Sequence, residues 1–219
     1  MNMISPMPIV QFVHIPKCAG TSTWNLLANL SGDPSRYQPV HQPLQKRQAG
    51  EYLFTIVRDP VDRILSLYTY AIKRGDFYIF KQAPYLWGST LYEFAYYLYS
   101  TKDPTFFNCM IQFMDGSFPD INVGDWTEAL ERIKAKNYDH IGFVDNYDNT
   151  VAWLVRLFGR RPNQIGQSHV NRSKNAEIKP NEITKQPRFN KALELIVDSN
   201  HQDIMLYNHL KESMPTCNG

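Results

Sequence analysis

The sequence predicts an α/β fold in which helices flank a parallel sheet. Short apolar runs near Val10, Tyr37, Leu53 and Ile141 have the length of strands, and the stretches between them have the apolar spacing of helices. Strands that alternate with helices favour right-handed crossovers and a parallel sheet. Such sheets bind ligands at the carboxyl ends of their strands. The residues that follow each run are therefore the first candidates for a functional site.

The first half of the chain alternates predicted strands and helices. An apolar run over residues 9–15 predicts a strand, and the apolar spacing over 21–30 suits a helix better. Residues 36–40 and 52–57 predict two further strands. Pro60 suits the first turn of a helix, which we expect to run to about Arg74. Two of the predicted strands thus lead directly into helices.

Capping residues and apolar spacing predict the elements of the second half. Thr90 and Asp125 are each followed three residues later by a glutamate, which is the spacing of an N-cap and its third helical residue. Helices are therefore predicted to start after Thr90 and after Asp125. The remaining elements are a short buried strand, a helix that Gly159 would end and a long amphipathic stretch, at residues 140–144, 146–158 and 189–210.

Composition favours one globular domain over residues 1–219. The chain has 219 residues, of which 43% are hydrophobic and 20% are charged, enough for a central sheet covered by helices. A net charge of +2 is too small to indicate a nucleic-acid partner. The first strand begins within a few residues of Met1, so we expect no signal peptide, no membrane span and a cytoplasmic protein.

The cysteines predict neither a disulfide framework nor a metal site. Cys18, Cys109 and Cys217 are sparse and odd in number, which fits a reducing compartment. None of them has the close Cys or His spacing of a zinc site. We therefore expect no metal in the chemistry of this chain.

The segment HIPKCAGTS, over residues 14–22, lies between the first predicted strand and the first predicted helix. Gly20 allows the backbone to approach a ligand closely. The N–H groups of residues 20–23 would face an anion, with the helix dipole behind them. This loop therefore predicts a phosphate or sulfate site.

The position of Lys17 distinguishes this loop from that of ATP-hydrolysing proteins. In a G-x-x-x-x-G-K-[ST] loop the lysine follows the second glycine, whereas here Thr21 follows Gly20 and Lys17 lies three residues before that glycine. A lysine at the end of a strand can reach a departing oxygen and neutralise the charge that develops on it. Lys17 is thus a candidate for group transfer as well as for binding.

A second basic segment, RDPVDRILS over residues 58–66, follows the strand predicted at 52–57. Arg58 would emerge at the carboxyl end of that strand and point into the same crevice as Lys17. Ser66 would lie two helical turns further on, where its hydroxyl could meet the same anion as the guanidinium. The simplest ligand for this segment is a second phosphate, distinct from the first.

Arg63, within the second segment, is predicted to have no part in binding. Asp59 and Asp62 lie close to it in the sequence, at the predicted helix start. We therefore expect Arg63 in a solvated ion network with one of these carboxylates.

The two segments together resemble the motifs of the sulfotransferase superfamily, in particular the bacterial and Golgi branch that modifies carbohydrates. The first resembles that family's K-x-x-G-T-[ST] loop for a 5'-phosphosulfate, and the second resembles its R-D-P-x-x-R-x-x-S motif for a 3'-phosphate. Residues 108–110 and 169–174 resemble further segments of the family, so that the resemblance covers nearly the whole chain. It implies a P-loop-like sulfotransferase fold.

The resemblance also implies a donor, an acceptor and a set of binding residues. The donor is 3'-phosphoadenosine 5'-phosphosulfate (PAPS), and the family needs no metal for the transfer. The acceptor is a hydroxyl compound, with a carbohydrate first and a small secondary metabolite a close second. The residues expected to bind the donor are Lys17, Ala19, Gly20, Thr21, Ser22, Thr23, Arg58, Ser66, Asn171, Arg172 and Ser173.

Three of those residues belong to a polar stretch over 164–176 that lies between two helical patterns. Arg172 and Lys174 could close over the 3'-phosphate and the adenine of the donor. On the residues alone, an ordinary solvated basic loop is an equal alternative.

Sulfuryl transfer needs a base for the acceptor hydroxyl, and His41 is the predicted one. It follows the strand predicted at 36–40 and lies between the two motifs, as the catalytic base does in the carbohydrate enzymes that the chain resembles. A histidine near its ordinary pKa is largely neutral around pH 7. Glu51 is the rival, although it adjoins a strand and fits a solvated position better. His14 is predicted to be a packed residue beneath the site.

An aromatic segment over residues 77–99 follows the second motif. Its helical stripe of Leu91, Phe94, Ala95 and Leu98 is typical of core. Tyr78, Tyr85 and Trp87 are predicted to contact the acceptor, because aromatic faces stack on sugar rings and on flat small molecules.

The sequence therefore predicts a PAPS-dependent O-sulfotransferase in which Lys17 assists the leaving group and His41 takes the proton. A P-loop nucleotide kinase and a non-catalytic nucleotide-binding protein are the alternatives from other classes. The misplaced loop lysine argues against the kinase. Alanine variants of Lys17 and His41 would separate an enzyme from a binding protein, because only an enzyme would lose rate.

Overall fold

The structure, a computed structural model, describes residues 7–33, 41–75, 77–161 and 180–213. Its strands are β1 (Ile9–Val13), β2 (Glu51–Val57) and β3 (His140–Phe143). Its α-helices are α1 (Gly20–Ser31), α2 (Pro60–Arg74), α3 (Tyr78–Gln82), α4 (Leu91–Ser100), α5 (Cys109–Asp115), α6 (Trp126–Lys134), α7 (Tyr147–Leu157), α8 (Pro180–Ile183), α9 (Phe189–Ser199) and α10 (His201–Ser213). Short 3₁₀ turns lie at Pro84–Leu86 and Val144–Asn146.

The three strands form a parallel sheet in the order β1-β2-β3. Val13 pairs with Thr55, and Val57 pairs with Phe143. This register brings the carboxyl ends of all three strands to one edge. The predicted α/β fold with a parallel sheet flanked by helices is confirmed. The strand predicted at 36–40 lies outside the described residues.

The sheet is buried on both faces because apolar side chains alternate along β2. Leu53 and Val57 join a core cluster with α5, α6 and α10. Phe54 and Ile56 point the other way, into a cluster with α1 and α7. A central strand covered on both sides is the pattern that parallel sheets require.

A third core cluster is built from helices alone. It joins α2, α3, α4 and α9, and it contains the predicted stripe of α4, whose Phe94, Ala95 and Leu98 are fully buried. That prediction of core is confirmed. None of the helices within the described ranges is long and apolar enough to cross a membrane.

Side-chain caps begin the helices where the sequence predicted them. The Asp59 carboxylate accepts hydrogen bonds from the backbone N–H groups of Val61 and Asp62, at 2.9 and 3.0 Å, so α2 begins at Pro60. Thr90 and Glu93 form a complete capping box at the start of α4. Asp125 caps α6 through the N–H of Thr127 at 2.9 Å. Local side-chain caps thus determine where these three helices begin.

The long amphipathic stretch predicted over 189–210 is two helices rather than one. Asn200 has φ −122° and ψ 20°, which interrupts the helical backbone between α9 and α10. Its fully buried side chain donates to the carbonyl of Ile196 at 2.9 Å. The apolar spacing continues across the break, which is why the sequence pattern did not reveal it.

The N-termini of α5 and α10 cap each other. The buried Asp203 carboxylate accepts from the N–H groups of Met110 and Ile111, at 2.8 and 2.9 Å. The side chain of Asn108 accepts from the N–H of Asp203 at 3.1 Å. Burial raises the pKa of Asp203 to about 6, although the nearby Arg63 guanidinium and the two N–H groups lower it. The carboxylate therefore remains mostly ionised at neutral pH.

Arg63 is fully buried, and the prediction of a solvated ion network was wrong. Its Nη2 donates to the carbonyl of Thr105 at 2.9 Å, while its Nε and Nη1 have no hydrogen-bond partner within the described residues. Its positive charge lowers the pKa values of Asp203, Cys18 and Cys109, against the larger effect of burial. The guanidinium is therefore a buried cation that joins α2 to the segment after α4 and faces the buried carboxylate of α10.

We expect Asp203→Ala to lower the free energy of unfolding by about 3 kcal/mol or more, because it leaves two buried N–H groups without an acceptor and removes the carboxylate near Arg63. Urea unfolding at pH 7.5 measures this. Glu194→Ala, which removes an exposed carboxylate from α9, serves as the control and should change stability by less than about 0.5 kcal/mol. Equal stability of the two variants would contradict the cap.

Candidate functional site

A cavity of about 940 Å³ opens at the carboxyl edge of the sheet. One wall is the loop over residues 16–22 between β1 and α1, and the opposite wall comes from Arg58 and α2. Residues 144–148, after β3, form a third side. Phe77, Tyr78 and Thr105 bound the end away from the sheet. The size falls within the range of small-molecule and cofactor sites.

The loop wall presents the N-terminus of α1 to this cavity. Ala19, at the N-cap position, adopts a left-handed conformation with φ 57° and gives no side-chain cap. Gly20, Thr21 and Ser22 line the cavity at the first turn, where backbone N–H groups have no helical acceptor. The predicted anion site is therefore geometrically available, with the positive end of the helix dipole behind it.

The buried imidazole of His14 lies against Gly20. A Cβ added to Gly20 would lie 1.5 Å from Nε2 of His14, so only glycine fits there. Nδ1 of His14 accepts a hydrogen bond from the indole N–H of Trp24 at 3.1 Å, and the ring stacks on Phe12 at 5.4 Å. His14 is thus the packed residue that the sequence predicted, and it also lines the cavity.

Thr23 differs from the other predicted loop residues. It is fully buried, and its N–H and its hydroxyl both donate to the carbonyl of Ala19, at 3.1 and 3.0 Å. Its hydroxyl also shares a hydrogen bond of 3.2 Å with Tyr147. Thr23 therefore supports the loop from behind rather than facing the cavity.

Lys17 enters the cavity from a left-handed position in the same loop, with φ 69°. Its Nζ lies 3.7 Å from the ring centroid of Tyr70. Burial, together with the nearby cations of Arg58 and Arg74, lowers the pKa of Lys17 to about 8. Lys17 and Ala19, on either side of Cys18, both have a strained left-handed backbone, which is a conformation often found at functional sites.

Arg58 and Ser66 both line the cavity from the opposite wall, as predicted. Arg58 follows β2 directly, and Ser66 lies on the side of α2 that faces the loop. The N–H of Arg58 contacts the buried Sγ of Cys18, which ties the end of β2 to the loop over residues 16–22. The two basic segments of the sequence thus meet in one site.

His41 lines the cavity beside His14, with 4.7 Å between the ring centroids. The segment after it is fixed to β1, because the N–H of His14 donates to the carbonyl of Gln42 at 2.9 Å. Burial and the nearby charge of Lys17 lower the pKa of His41 below its usual range. The imidazole is therefore neutral at pH 7 and can accept a proton.

Glu51 lies at the other end of β2, away from the cavity. It begins that strand, whereas Arg58 follows its last residue. Its carboxylate accepts from the side chain of Gln11 at 3.2 Å and from the N–H of Gln48 at 2.9 Å. The rival base of the sequence is thus a structural residue at the amino edge of the sheet.

The predicted acceptor residues separate into two groups. The ring of Tyr78 lines the cavity, while its hydroxyl donates to Asp103 at 2.7 Å. Burial and the Asp103 carboxylate raise the pKa of Tyr78. Tyr85 and Trp87 are 74% and 67% exposed and lie outside the cavity lining. Of these three predicted residues, Tyr78 alone has its ring in the cavity lining.

The sequence reading missed several residues that the structure brings to the cavity. Tyr70 and Arg74 follow Ser66 on α2 at spacings of four residues, a signal that a helical projection of the second motif could have found. Asp148 and Tyr147 belong to the third side, and only the position of β3 beside β2 brings them there.

Asn171, Arg172 and Ser173, which the sequence predicts to bind the donor, lie outside the described residues. Within the described ranges, no group of three or more His, Cys, Asp or Glu side chains is arranged to hold a metal ion.

Comparison with known proteins gives one match. The sequence profile of the sulfotransferase family matches residues 3–209. That range includes β1, the loop over residues 16–22, the Arg58 segment and all but the last residues of α10. No curated protein and no solved structure matches the chain significantly.

Replacement of Gly20 by alanine tests the packing beneath the loop. We expect Gly20→Ala to lower the free energy of unfolding by about 2–3 kcal/mol, because the new methyl group overlaps the His14 imidazole. The double variant His14→Ala/Gly20→Ala should be more stable than the sum of the single changes predicts, by about 1 kcal/mol or more. Chemical denaturation of all four proteins completes the cycle, and strict additivity would contradict the contact.

Proposed function

The chain belongs to the sulfotransferase family, and from that premise we propose that it transfers a sulfuryl group from PAPS to a hydroxyl acceptor. The observation that carries this proposal is the meeting of two groups of residues suited to anions in one cavity. The N-terminus of α1 with Lys17 is the first group, and Arg58 with Ser66 is the second. PAPS carries two separate anionic groups, a 5'-phosphosulfate and a 3'-phosphate, which these two groups of residues would fit.

The residues of the cavity suit the chemistry of an in-line transfer. The acceptor oxygen forms a bond to sulfur while the bond from sulfur to the bridging phosphate oxygen breaks. His41, neutral at pH 7, would take the proton of the acceptor hydroxyl. Lys17, as an ammonium, would neutralise the charge that develops on the departing phosphate oxygen. The loop N–H groups would hold the phosphate in place meanwhile.

A carbohydrate is the proposed acceptor, with a small secondary metabolite as the second candidate. The ring of Tyr78 lines the cavity and offers an aromatic face for a sugar or a flat ring. Asp148 is exposed on the third side and could accept hydrogen bonds from further hydroxyl groups. Radiolabelled sulfate transfer from PAPS to a panel of oligosaccharides and phenols would separate the two classes.

The donor site is tested by calorimetric titration with 3'-phosphoadenosine 5'-phosphate (PAP), the desulfated product, beside ADP. We expect PAP to bind without added metal and more tightly than ADP, because ADP lacks the 3'-phosphate. Arg58→Ala should weaken PAP binding about ten- to a hundredfold, the effect of losing hydrogen bonds from a charged group.

Arg156→Ala is the matched control for that titration. Arg156 is exposed on α7 and does not line the cavity, so this variant should bind PAP like the wild type. Equal affinity for PAP and ADP in the wild type, or no binding of either, would contradict the proposed function.

The rate should fall at both low and high pH. We expect kcat/KM for PAP release from PAPS to fall below the pKa of His41, which lies under its usual range, because the protonated ring cannot act as a base. It should also fall above about pH 8, where Lys17 loses its proton. Lys17→Arg should remove the fall above pH 8 and keep the acidic one. Persistence of the basic fall in that variant would contradict the role of Lys17.

A further inference from the structure

We propose that Tyr70 is a positioning residue, whose ring face holds the Lys17 ammonium in the place from which it acts on the leaving group. This inference rests on the proposed function of Lys17. The contact is a cation over an aromatic ring, with Nζ 3.7 Å from the ring centroid. It joins the loop over residues 16–22 to α2, which carries Ser66 one helical turn earlier.

The backbone of Lys17 is fixed, but its side chain has four methylene groups and needs a partner at its end. The N–H of the next residue, Cys18, donates to the carbonyl of Ile15 at 3.2 Å, and the Cys18 side chain is fully buried. The loop therefore sets where the lysine starts and not where its ammonium ends. A long flexible side chain in such a place is held only by what its charged end contacts.

Electrostatics in the cavity work against the observed position of the ammonium. Arg58, after β2, and Arg74, at the end of α2, both lower the pKa of Lys17, after the larger effect of burial. The Cys18 thiol, whose pKa burial raises to about 12, and the His41 imidazole, whose pKa is lowered by burial and by Lys17, are neutral near pH 7. Asp145 and Asp148 lie on the third side of the cavity.

Within the described part of the chain, no carboxylate forms an ion pair with Lys17, since the ion pairs found there use other cations. The negative face of the Tyr70 ring is the group in contact with the ammonium. A partly desolvated cation gains more from such a face than an exposed one does. The ring therefore offsets part of the repulsion from the two arginines.

Tyr70 also contacts Arg74, through both its hydroxyl and its ring. The hydroxyl accepts a hydrogen bond from Nη1 of Arg74 at 3.0 Å, and the guanidinium carbon lies 5.5 Å from the ring centroid, further away than Nζ of Lys17. Two substitutions separate these contacts, because Tyr70→Phe keeps the ring face and loses the hydroxyl, whereas Tyr70→Leu loses both. Tyr96→Leu is the control, since Tyr96 is 55% exposed on α4 and lies outside the cavity lining.

Loss of the ring face should affect Lys17 and not the donor affinity that Arg58 and Ser66 provide. In Tyr70→Leu we expect the fall in rate at high pH to move down by about half a unit or more. The kcat for PAP release from PAPS with water as acceptor should fall about three- to tenfold at pH 7.5. The affinity for PAP, measured by calorimetry, should fall by a smaller factor than kcat, because Arg58, Ser66 and the loop N–H groups would still hold its two phosphates. Tyr70→Phe and Tyr96→Leu should behave like the wild type.

A second readout needs no turnover. The Lys17 ammonium is followed by ¹⁵N-detected NMR during a pH titration, with its signal assigned by its loss in Lys17→Arg. The pKa of Lys17 should be lower in Tyr70→Leu than in the wild type and unchanged in Tyr70→Phe. Circular dichroism and thermal unfolding confirm that each variant is folded.

The outcomes distinguish this inference from the proposed function. A wild-type protein that fails to bind PAP or to release it from PAPS contradicts the proposed function, while the NMR titration still decides whether Tyr70 holds the ammonium. A normal pKa and pH profile in Tyr70→Leu would overturn the inference. An equal loss in Tyr70→Phe and Tyr70→Leu would also overturn it, because the hydroxyl bond to Arg74 would then be the contact that matters.

Discussion

The close contact between the His14 imidazole and the backbone of Gly20 is the constraint on which the site depends. The imidazole occupies the space that any side chain at position 20 would need, so the loop can pass over it only at a glycine. The ring in turn is fixed by the indole of Trp24 and by its stacking on Phe12. Phe12 stacks on Phe54 of the neighbouring strand at 4.8 Å. The loop amides are thus held in position by side chains that pack on the sheet.

A similar argument explains how α2 is held so that Ser66 lines the cavity together with Arg58, which precedes the helix. The helix is held from beneath by Arg63, whose buried guanidinium reaches the carbonyl of Thr105 and lies near Asp203. Thr105 bounds the cavity and bonds to Tyr78 at 3.1 Å. The second arginine of the RDPVDRILS segment therefore acts on structure, while the first lines the cavity.

The sequence predicted the site residues that come directly after strands. Lys17 and Arg58 follow apolar runs, and parallel strands bring their carboxyl ends together whatever lies between them, so both could be assigned to one crevice. Tyr70 was missed because its place depends on the rotation of α2 about its axis. Arg63 was misassigned because its buried counter-charge, Asp203, lies in a helix at the far end of the chain. The break at Asn200 escaped because the apolar period continues through it.

The two buried thiols near the loop over residues 16–22 can report on the opening of that loop. Cys18 and Cys109 are both fully buried, and burial raises the pKa of each to about 12, so neither is a thiolate in the folded protein at neutral pH. Alkylating reagents react with the thiolate, and they reach these two sulfurs only when the protein around them opens. The rate of alkylation at Cys18, resolved by peptide mass spectrometry, therefore reports how often the loop separates from the end of β2. A nucleotide bound at the proposed site would slow that labelling by holding the loop against β2, which gives a measure of occupancy that needs neither an acceptor nor a radioactive donor.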